Sequence, residues 1–335
     1  MIMAHDEKST NAKTGIVMIG HGEPEIFDED VWLKGLREMF DEFRQTGLEV
    51  PPDDALPVML MEIKDKYEAM GGKSRHAEVC RKQCELVAQH FPNYHVGIGF
   101  NEFIGPCFTE VAEEMIHEGV RHIAFVPMLQ TDSTHTGEIR NKINALGLDS
   151  KEVQWIMSKP LFYRPEPTQL VINKIVEAAG KTPLEKVGVV LASHGEPDEW
   201  TRLCLENTRC KEQETAFCAC VKKGLVEKGF VWDNIVQGFN EFTHPELPEA
   251  VETLADKNLR KVIVMPSFGS TDCMHVNYDI PTKAKSALVD PHVEIVCLGG
   301  WNDDPLIIKA YVELVKEALA KLFEDGDRRI QSQDT

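Results

Sequence analysis

Two histidines, each followed by Gly-Glu-Pro, close apolar runs at GHGEPE (20–25) and SHGEPD (193–198). Downstream of each comes a glutamate inside GFNEF, Glu102 or Glu241, and then a further histidine, His135 or His275. Two imidazoles and a carboxylate form a donor set for a divalent transition metal. With an unperturbed pKa of about 6.5, imidazole can also accept a proton, and Glu can serve as ligand or base. A lone histidine at a strand end more often caps a turn. Recurrence of the whole set favours chemistry. His194, Glu241 and His275 are expected to do the catalysis and hold the metal, with His21, Glu102 and His135 as a second set that duplication could have left as scaffold.

Residues so far apart in sequence need a frame that gathers strand ends. The apolar runs GIVMIG (15–20), YHVGIGF (94–100), HIAFVPML (122–129) and VQWIMS (153–158) read as strands, as do VGVVLAS (187–193), NIVQGF (234–239), KVIVMPSF (261–268) and VEIVCLGG (293–300). Runs without alternation suit parallel sheets covered on both faces. Helical patterns such as FTEVAEEMIHEG (108–119) and ELPEAVETLADKN (246–258) lie between them. The alternation predicts α/β architecture: two similar Rossmann-like domains with parallel sheets, related by a pseudo-two-fold duplication. Ligands of such sheets bind beyond the carboxyl ends of the strands, where every repeated polar residue falls.

The repeat is metric as well as topological. Glu102 to Pro127 and Glu241 to Pro266 both span 25 residues. His21 to Glu102 spans 81 against 47 for His194 to Glu241, so the first half carries 34 extra residues. They fall at about 30–75, include VWLKGLREMFDEF and EIKDKYEAMGG, and are expected to form a lid. The chain divides into a disordered lead-in (1–14), an N-terminal domain (15–180), a C-terminal domain with the main metal site (181–325) and a disordered tail (326–335).

A net charge of −19 argues against nucleic acid as partner and suits a cationic solute. Hydrophobic residues at 42% allow a large core. No run is long enough to cross a membrane and the N-terminus has no apolar signal region, so the expected setting is cytoplasmic. Nine cysteines form no paired framework. Cys204, Cys210, Cys218 and Cys220 cluster without a CxxC pair, which disfavours an iron–sulfur centre. Dinucleotide, P-loop and GxSxG signatures are missing.

At this point the motifs resemble the ferrochelatase and sirohydrochlorin-chelatase superfamily over nearly the whole chain. EIKDKYEAMGGKS is similar to the ferrochelatase segment that lines the porphyrin cleft, LASHGEP to the strand-end motif of the metallating histidine, and GFNEF with SFGSTDCMHVNYDIP to the cobalt and sirohydrochlorin chelatases. The resemblance implies a lyase that inserts a divalent metal, Fe2+ first, into a porphyrin of haem biosynthesis, with metal on His194, Glu241 and His275. It implies no cofactor beyond that metal. Substrate contacts are expected from Tyr67, Lys66, Lys73, Arg75 and Arg140, with Lys64 and Lys142 as further rim cations. Ferrochelatases usually carry Glu where this chain has His275, and often Tyr where it has His21. Both differences point toward a sirohydrochlorin chelatase using Co2+, Ni2+ or Fe2+, while the insertion points toward haem. A non-catalytic tetrapyrrole or metal carrier and a metal-dependent hydrolase are the readings from other classes. The partners are then a tetrapyrrole and a metal ion; oligomeric state is not legible.

Overall fold

Each apolar run becomes a strand because its side chains meet cover on both faces of a sheet. The computed structural model describes residues 14–333 apart from 203–207, 270, 288–289 and 291. The first sheet holds β1 (Thr14–Gly20), β2 (His95–Phe100), β3 (His122–Pro127) and β4 (Gln154–Met157) in the order β2-β1-β3-β4. The second holds β5 (Val187–Ser193), β6 (Ile235–Phe239), β7 (Lys261–Pro266) and β8 (Glu294–Cys297) in the equivalent order β6-β5-β7-β8. All pairings are parallel, so all carboxyl ends of a sheet lie on one side. Within β1, Ile16 and Met18 enter one core cluster while Val17 and Ile19 enter another, the period of two that strand geometry requires.

The first half continues with α1 (Glu29–Thr46), α2 (Leu56–Ala69), α3 (His76–Ala88), α4 (Phe108–His117), α5 (Thr134–Ala145) and α6 (Glu166–Ala179). The second contributes α7 (Cys210–Glu227), α8 (Leu247–Glu252), α9 (Ile280–Ser286) and α10 (Pro305–Gln333). The closing helices are exchanged. Helix α6 packs on β7 and α7 of the second half, and α10 returns to β3, β4 and α3 of the first. One core cluster consequently runs through both sheets, joining Ile16 and Val126 to Leu191 and Ile263 by way of Leu170, Val221 and Val315.

Three expectations need correction. The lead-in assigned to 1–14 already includes the first residue of β1, the buried Thr14; residues 1–13 lie outside the described residues. The helix expected over 246–258 stops at Glu252 and unwinds through successive turns to Asn258, whose φ of 49° no helix accommodates. The tail expected from 326 is helical as far as Gln333. No proline follows Pro305 to interrupt the helix.

The insertion forms the helix pair α1 and α2. Asp28 caps α1 by accepting from the Val31 N–H, and Gly47 ends it at φ 80°. Leu56, Leu60, Ile63 and Tyr67 recur at helical spacing along α2 and meet Trp32, Leu36 and Phe40 of α1. This small core also takes in Met274 of the second half and Phe103 of the first.

The exchange has a direct consequence. A fragment of residues 14–180 lacks α10 and leaves apolar faces of β3 and β4 bare. It is expected to aggregate or lack cooperative unfolding alone, and to recover both solubility and a cooperative melt when mixed with 181–333. Circular dichroism and gel filtration of the fragments check this; a stable, cooperatively melting 14–180 fragment would contradict it.

Candidate metal centre

The residue that opens each site is fixed by backbone before its side chain matters. Beyond the strands, the parallel ladder continues: Asn101 N–H and Glu102 N–H donate to Gly20 O and His21 O. Asn240 and Glu241 do the same to Ser193 and His194. The two loops approach so closely that a Cβ on Gly22 or Gly195 would sit 2.0 Å from the carbonyl oxygen of Glu102 or Glu241. Both glycines also have positive φ, 108° and 87°. No other residue type fits there, which explains the glycine of each HGEP.

Each loop histidine then has its tautomer chosen for it. His21 Nδ1 lies 2.8 Å from Gly22 O, and His194 Nδ1 lies 2.7 Å from Gly195 O. A carbonyl can only accept, so both Nδ1 atoms carry the proton and both Nε2 atoms keep a lone pair. Burial pushes His21 below its usual pKa. His194 falls to about 4 through burial and the charge of His275.

The partner histidine is charged instead. Burial opposes it, but Glu241 and Asp279 hold His275 up at about 9, and Glu102 with Glu138 hold His135 well above its usual range. His275 Nδ1 is 2.7 Å from Asp279 and 3.8 Å from Glu241; His135 Nδ1 is 3.1 Å from both Glu138 and Glu102. In each half the ligand atoms of the triad lie within 4.8 Å of one another, and no other such group of three occurs among the described residues. The imidazoles meet edge to face, with centroids 4.5 Å apart in the first set and 5.0 Å in the second. The structure thus brings together His21, Glu102 and His135, and separately His194, Glu241 and His275.

The second set departs from the first by one residue. His135 precedes Lys142 by seven positions and His275 precedes Lys283 by eight. The extra residue is absorbed in a π-helical turn, His275–Asp279, ahead of α9. Lys142 and Lys283 still reach the same place, the carbonyl oxygens of Asn101 and Asn240.

The glutamates of the two HGEP motifs cross between the halves. Glu23 accepts from the Met274 N–H at 3.1 Å, one residue before His275. Glu196 accepts from the Thr134 N–H at 2.8 Å, one residue before His135. Behind the loops, His76 Nε2 accepts from Gly22 N–H, and Glu214 accepts from both His194 N–H and Gly195 N–H. Burial holds the Glu214 carboxyl up at about 7. None of these supporting groups was singled out from sequence. The repeated Asn of GFNEF and the repeated Glu of HGEP were the available signals.

A family model for ferrochelatase matches residues 13–319. The chain belongs to the ferrochelatase family. It is a metal chelatase of tetrapyrroles. It is 22% identical over 317 residues to the ferrochelatase of Aquifex aeolicus, covering 91% of this chain and 99% of the relative. Among solved structures it is similar to SirB from Bacillus subtilis with Fe3+, with a TM-score of 0.59, 17% identity, and 91% and 95% of the two chains covered. It is also similar to CbiX, described as the terminal enzyme for biosynthesis of sirohaem in denitrifying bacteria, with a TM-score of 0.53, 15% identity, and coverage of 91% and 99%. These likenesses show the fold: two parallel-sheet α/β units of the chelatase kind.

The expected rim contacts of this ferrochelatase-family chain divide in two. Lys73 and Arg75 are half-exposed, paired with Glu25 and Glu78 and with Asp272 and Glu78, arrangements a ligand carboxylate can replace. Lys64 is exposed and Arg140 half-buried on α5. Lys66, by contrast, is tied to the buried Asp279 at 2.8 Å. Tyr67 is turned inward. It is 1% exposed, and its hydroxyl donates to Pro24 O at 2.6 Å from within the apolar core of the inserted helix pair. The cysteine cluster also separates: Cys210 meets Thr131, Cys218 meets Ser193 and Ser267, and Cys220 is exposed. Cys204 lies outside the described residues. No described helix is long and apolar enough to cross a membrane.

Two substitutions test this geometry by denaturant unfolding. Gly195→Ala is expected to cost roughly 3 kcal/mol or more, since strain at positive φ adds to a backbone clash. Gly47→Ala, at φ 80° but with its nearest neighbour 4.0 Å from the new Cβ, should cost only about 1–2 kcal/mol. Equal losses would contradict the close-approach argument. Glu23→Ala leaves the Met274 N–H without its acceptor and should cost about 1–3 kcal/mol.

Proposed function

We propose that this chain inserts Fe2+ into a porphyrin and that His194, Glu241 and His275 perform the insertion. The observation that supports a metallation site is a neutral imidazole with a free Nε2 lone pair set beside a protonated imidazole and a carboxylate, which both triads share. The second is preferred because its histidine lies in the SHGEP copy, the one similar to the metallating strand end of ferrochelatases. Metallation exchanges one dication for two pyrrole protons, so the site must release a metal where it takes up protons. Holding the ion requires His275 to give up its proton. When the ion passes to the ring, His275 regains one proton readily, and Glu241 relays the second toward solvent. His194 stays neutral throughout and is free to hold or guide the metal. Lys73 and Arg75 suit the carboxylate arms of the ring.

Iron is favoured by the names of the relatives. The two-histidine donor set and the fold likeness to SirB and CbiX favour a second reading, sirohydrochlorin as the ring and Co2+, Ni2+ or Fe2+ as the metal. Incubating the protein with protoporphyrin, coproporphyrin and sirohydrochlorin, each with the three metals, separates the two; binding without turnover would instead support a carrier.

Three outcomes are expected. His194→Ala abolishes turnover while the thermal melt stays close to that of the parent. Glu241→Gln lowers the rate on the order of 10²–10⁴-fold with porphyrin affinity little changed, whereas His21→Ala and His135→Ala cost much less. A dead His21→Ala beside an active His194→Ala would move the chemistry to the first half. Third, metal affinity at the second triad follows the His275 proton. Below about pH 9 an ion must displace that proton, so affinity rises about tenfold per pH unit from 7 to 9 and levels above it. Calorimetry in buffers of different ionisation enthalpy reads the proton released.

A further inference from the structure

One imidazole outside the triads touches the site loops of both halves. His76 opens α3, and its Nε2 accepts from the Gly22 N–H at 3.2 Å, one residue beyond His21. That bond leaves the proton on Nδ1, which donates to Thr271 Oγ1 at 2.7 Å, four residues before His275. Burial, with His21 nearby, pushes its pKa down to about 3, so the ring is neutral and its two nitrogens differ. Arg75 grips the next residue of the same loop: its N–H donates to Asp272 O at 3.2 Å and its guanidinium pairs with the Asp272 carboxylate at 3.0 Å. Thr271 O accepts in turn from the Cys273 N–H at 2.8 Å, a turn that leads into the π-helical residues His275–Asp279.

The duplication supplies the comparison. His76 and Cys80 stand four residues apart on α3, as Glu214 and Cys218 do on α7. The Cys80 Sγ lies 3.4 Å from where a Cβ on Gly20 would sit, and the Cys218 Sγ lies 3.5 Å from Ser193 Oγ; those two residues precede His21 and His194. His76 therefore stands where Glu214 stands in the other half. Glu214 accepts at both oxygens, from the His194 and Gly195 N–H groups, and leaves the opposite loop to Cys210 and Gln213, which meet Thr131 and Asp132. His76 serves its own loop and the opposite one together, because an imidazole accepts at one nitrogen and donates at the other. We propose that His76 is a positioning residue for metallation: it sets the register between the loop after His21 and the loop that presents His275. A side chain of the first half thereby controls the donor geometry of the second triad. The proposal rests on the reading of the second triad as the metallation site, although binding of the ion there needs no turnover.

The test is titration of the metal-free full chain with Co2+ alone, read by the visible absorption of the bound ion; the second-triad signal is the one that His275→Ala removes. Thr271→Val deletes only the hydroxyl, and His76→Phe keeps a ring while losing both bonds. Each is expected to weaken Co2+ at the second triad about tenfold, the lower end of what outer-shell partners contribute. The double variant should lose no more than either alone, since both substitutions break the same link. His76→Asn can set an amide N–H where Nδ1–H stood and should restore the affinity, whereas His76→Gln reaches only as Nε2 does and should not. Turnover should follow the same order, with kcat reduced and the tetrapyrrole KM close to that of the parent. Should His76→Phe fail to fold, Thr271→Val and the contrast of His76→Asn with His76→Gln carry the same comparison. Additive losses, unchanged affinity in Thr271→Val, equal rescue by His76→Asn and His76→Gln, or a parent with no His275-dependent ion would overturn the proposal. Metallation assays on the same samples keep it apart from the proposed function. A chain that shows the expected order of Co2+ affinities but metallates no tetrapyrrole defeats the latter alone, and an active chain with additive losses defeats the former alone.

Discussion

Two carboxylates hold the paired sites in place by reaching across to the opposite half. The loop that presents His21 also sends Glu23 to the backbone ahead of His275, and the loop that presents His194 sends Glu196 to the backbone ahead of His135. Each is a hydrogen bond from a backbone N–H at a helix entry to a carboxyl oxygen, meeting a donor that the helix itself leaves unsatisfied. Neither triad is the property of one domain: its first histidine and glutamate are placed by one sheet, and the helix with its second histidine is steadied by the other. A rotation of one half against the other would misplace both sites together. The exchanged helices α6 and α10 oppose that rotation by making the core continuous.

The inserted helix pair acts on this symmetric frame unequally. It rests on the residue after each site glutamate, with Trp32 on Phe103 and Phe43 on Phe242. Those contacts are alike in kind, and Phe103 and Phe242 share the same positive φ, 57° and 60°. The polar contacts are not alike. Lys66 pairs with Asp279 at 2.8 Å, whereas α1 meets the first set with the carboxyl of Glu42, which burial and the charges of Glu138 and Glu102 push up to about 7. One insertion has given twin donor sets different electrostatic surroundings without altering either triad.

Much of the fold and both triads were legible because the information is local or repeated. Continuous apolar runs mark strands covered on both faces, and equal spacing between Glu102 and Pro127 and between Glu241 and Pro266 marks the duplication. What was not legible depends on partners distant in sequence. The exchange of α6 and α10 has no signature in an amphipathic pattern, which says that a face is buried but not against what. Tyr67 is expected as a ligand contact from the resemblance of its segment to the cleft lining of ferrochelatases, and no pattern in the sequence announces its bond to Pro24 O. Glu23 and Glu196 were in view as part of a repeated motif, yet their role lies on the far side of the molecule. Helix α8 was overextended because ETLADKN keeps helical composition while its backbone turns away.

The return of α10 to the first sheet also orders events during synthesis. Strands β3 and β4 leave the ribosome early, but the helix that covers them is made only after the entire second sheet. Until then the first half exposes an apolar face that nothing in its own sequence can shield. Contacts between segments so remote from each other close slowly, since loop entropy must be overcome before burial compensates. For that interval the face that α10 will bury has no covering helix, so completion of the first half depends on synthesis of the second.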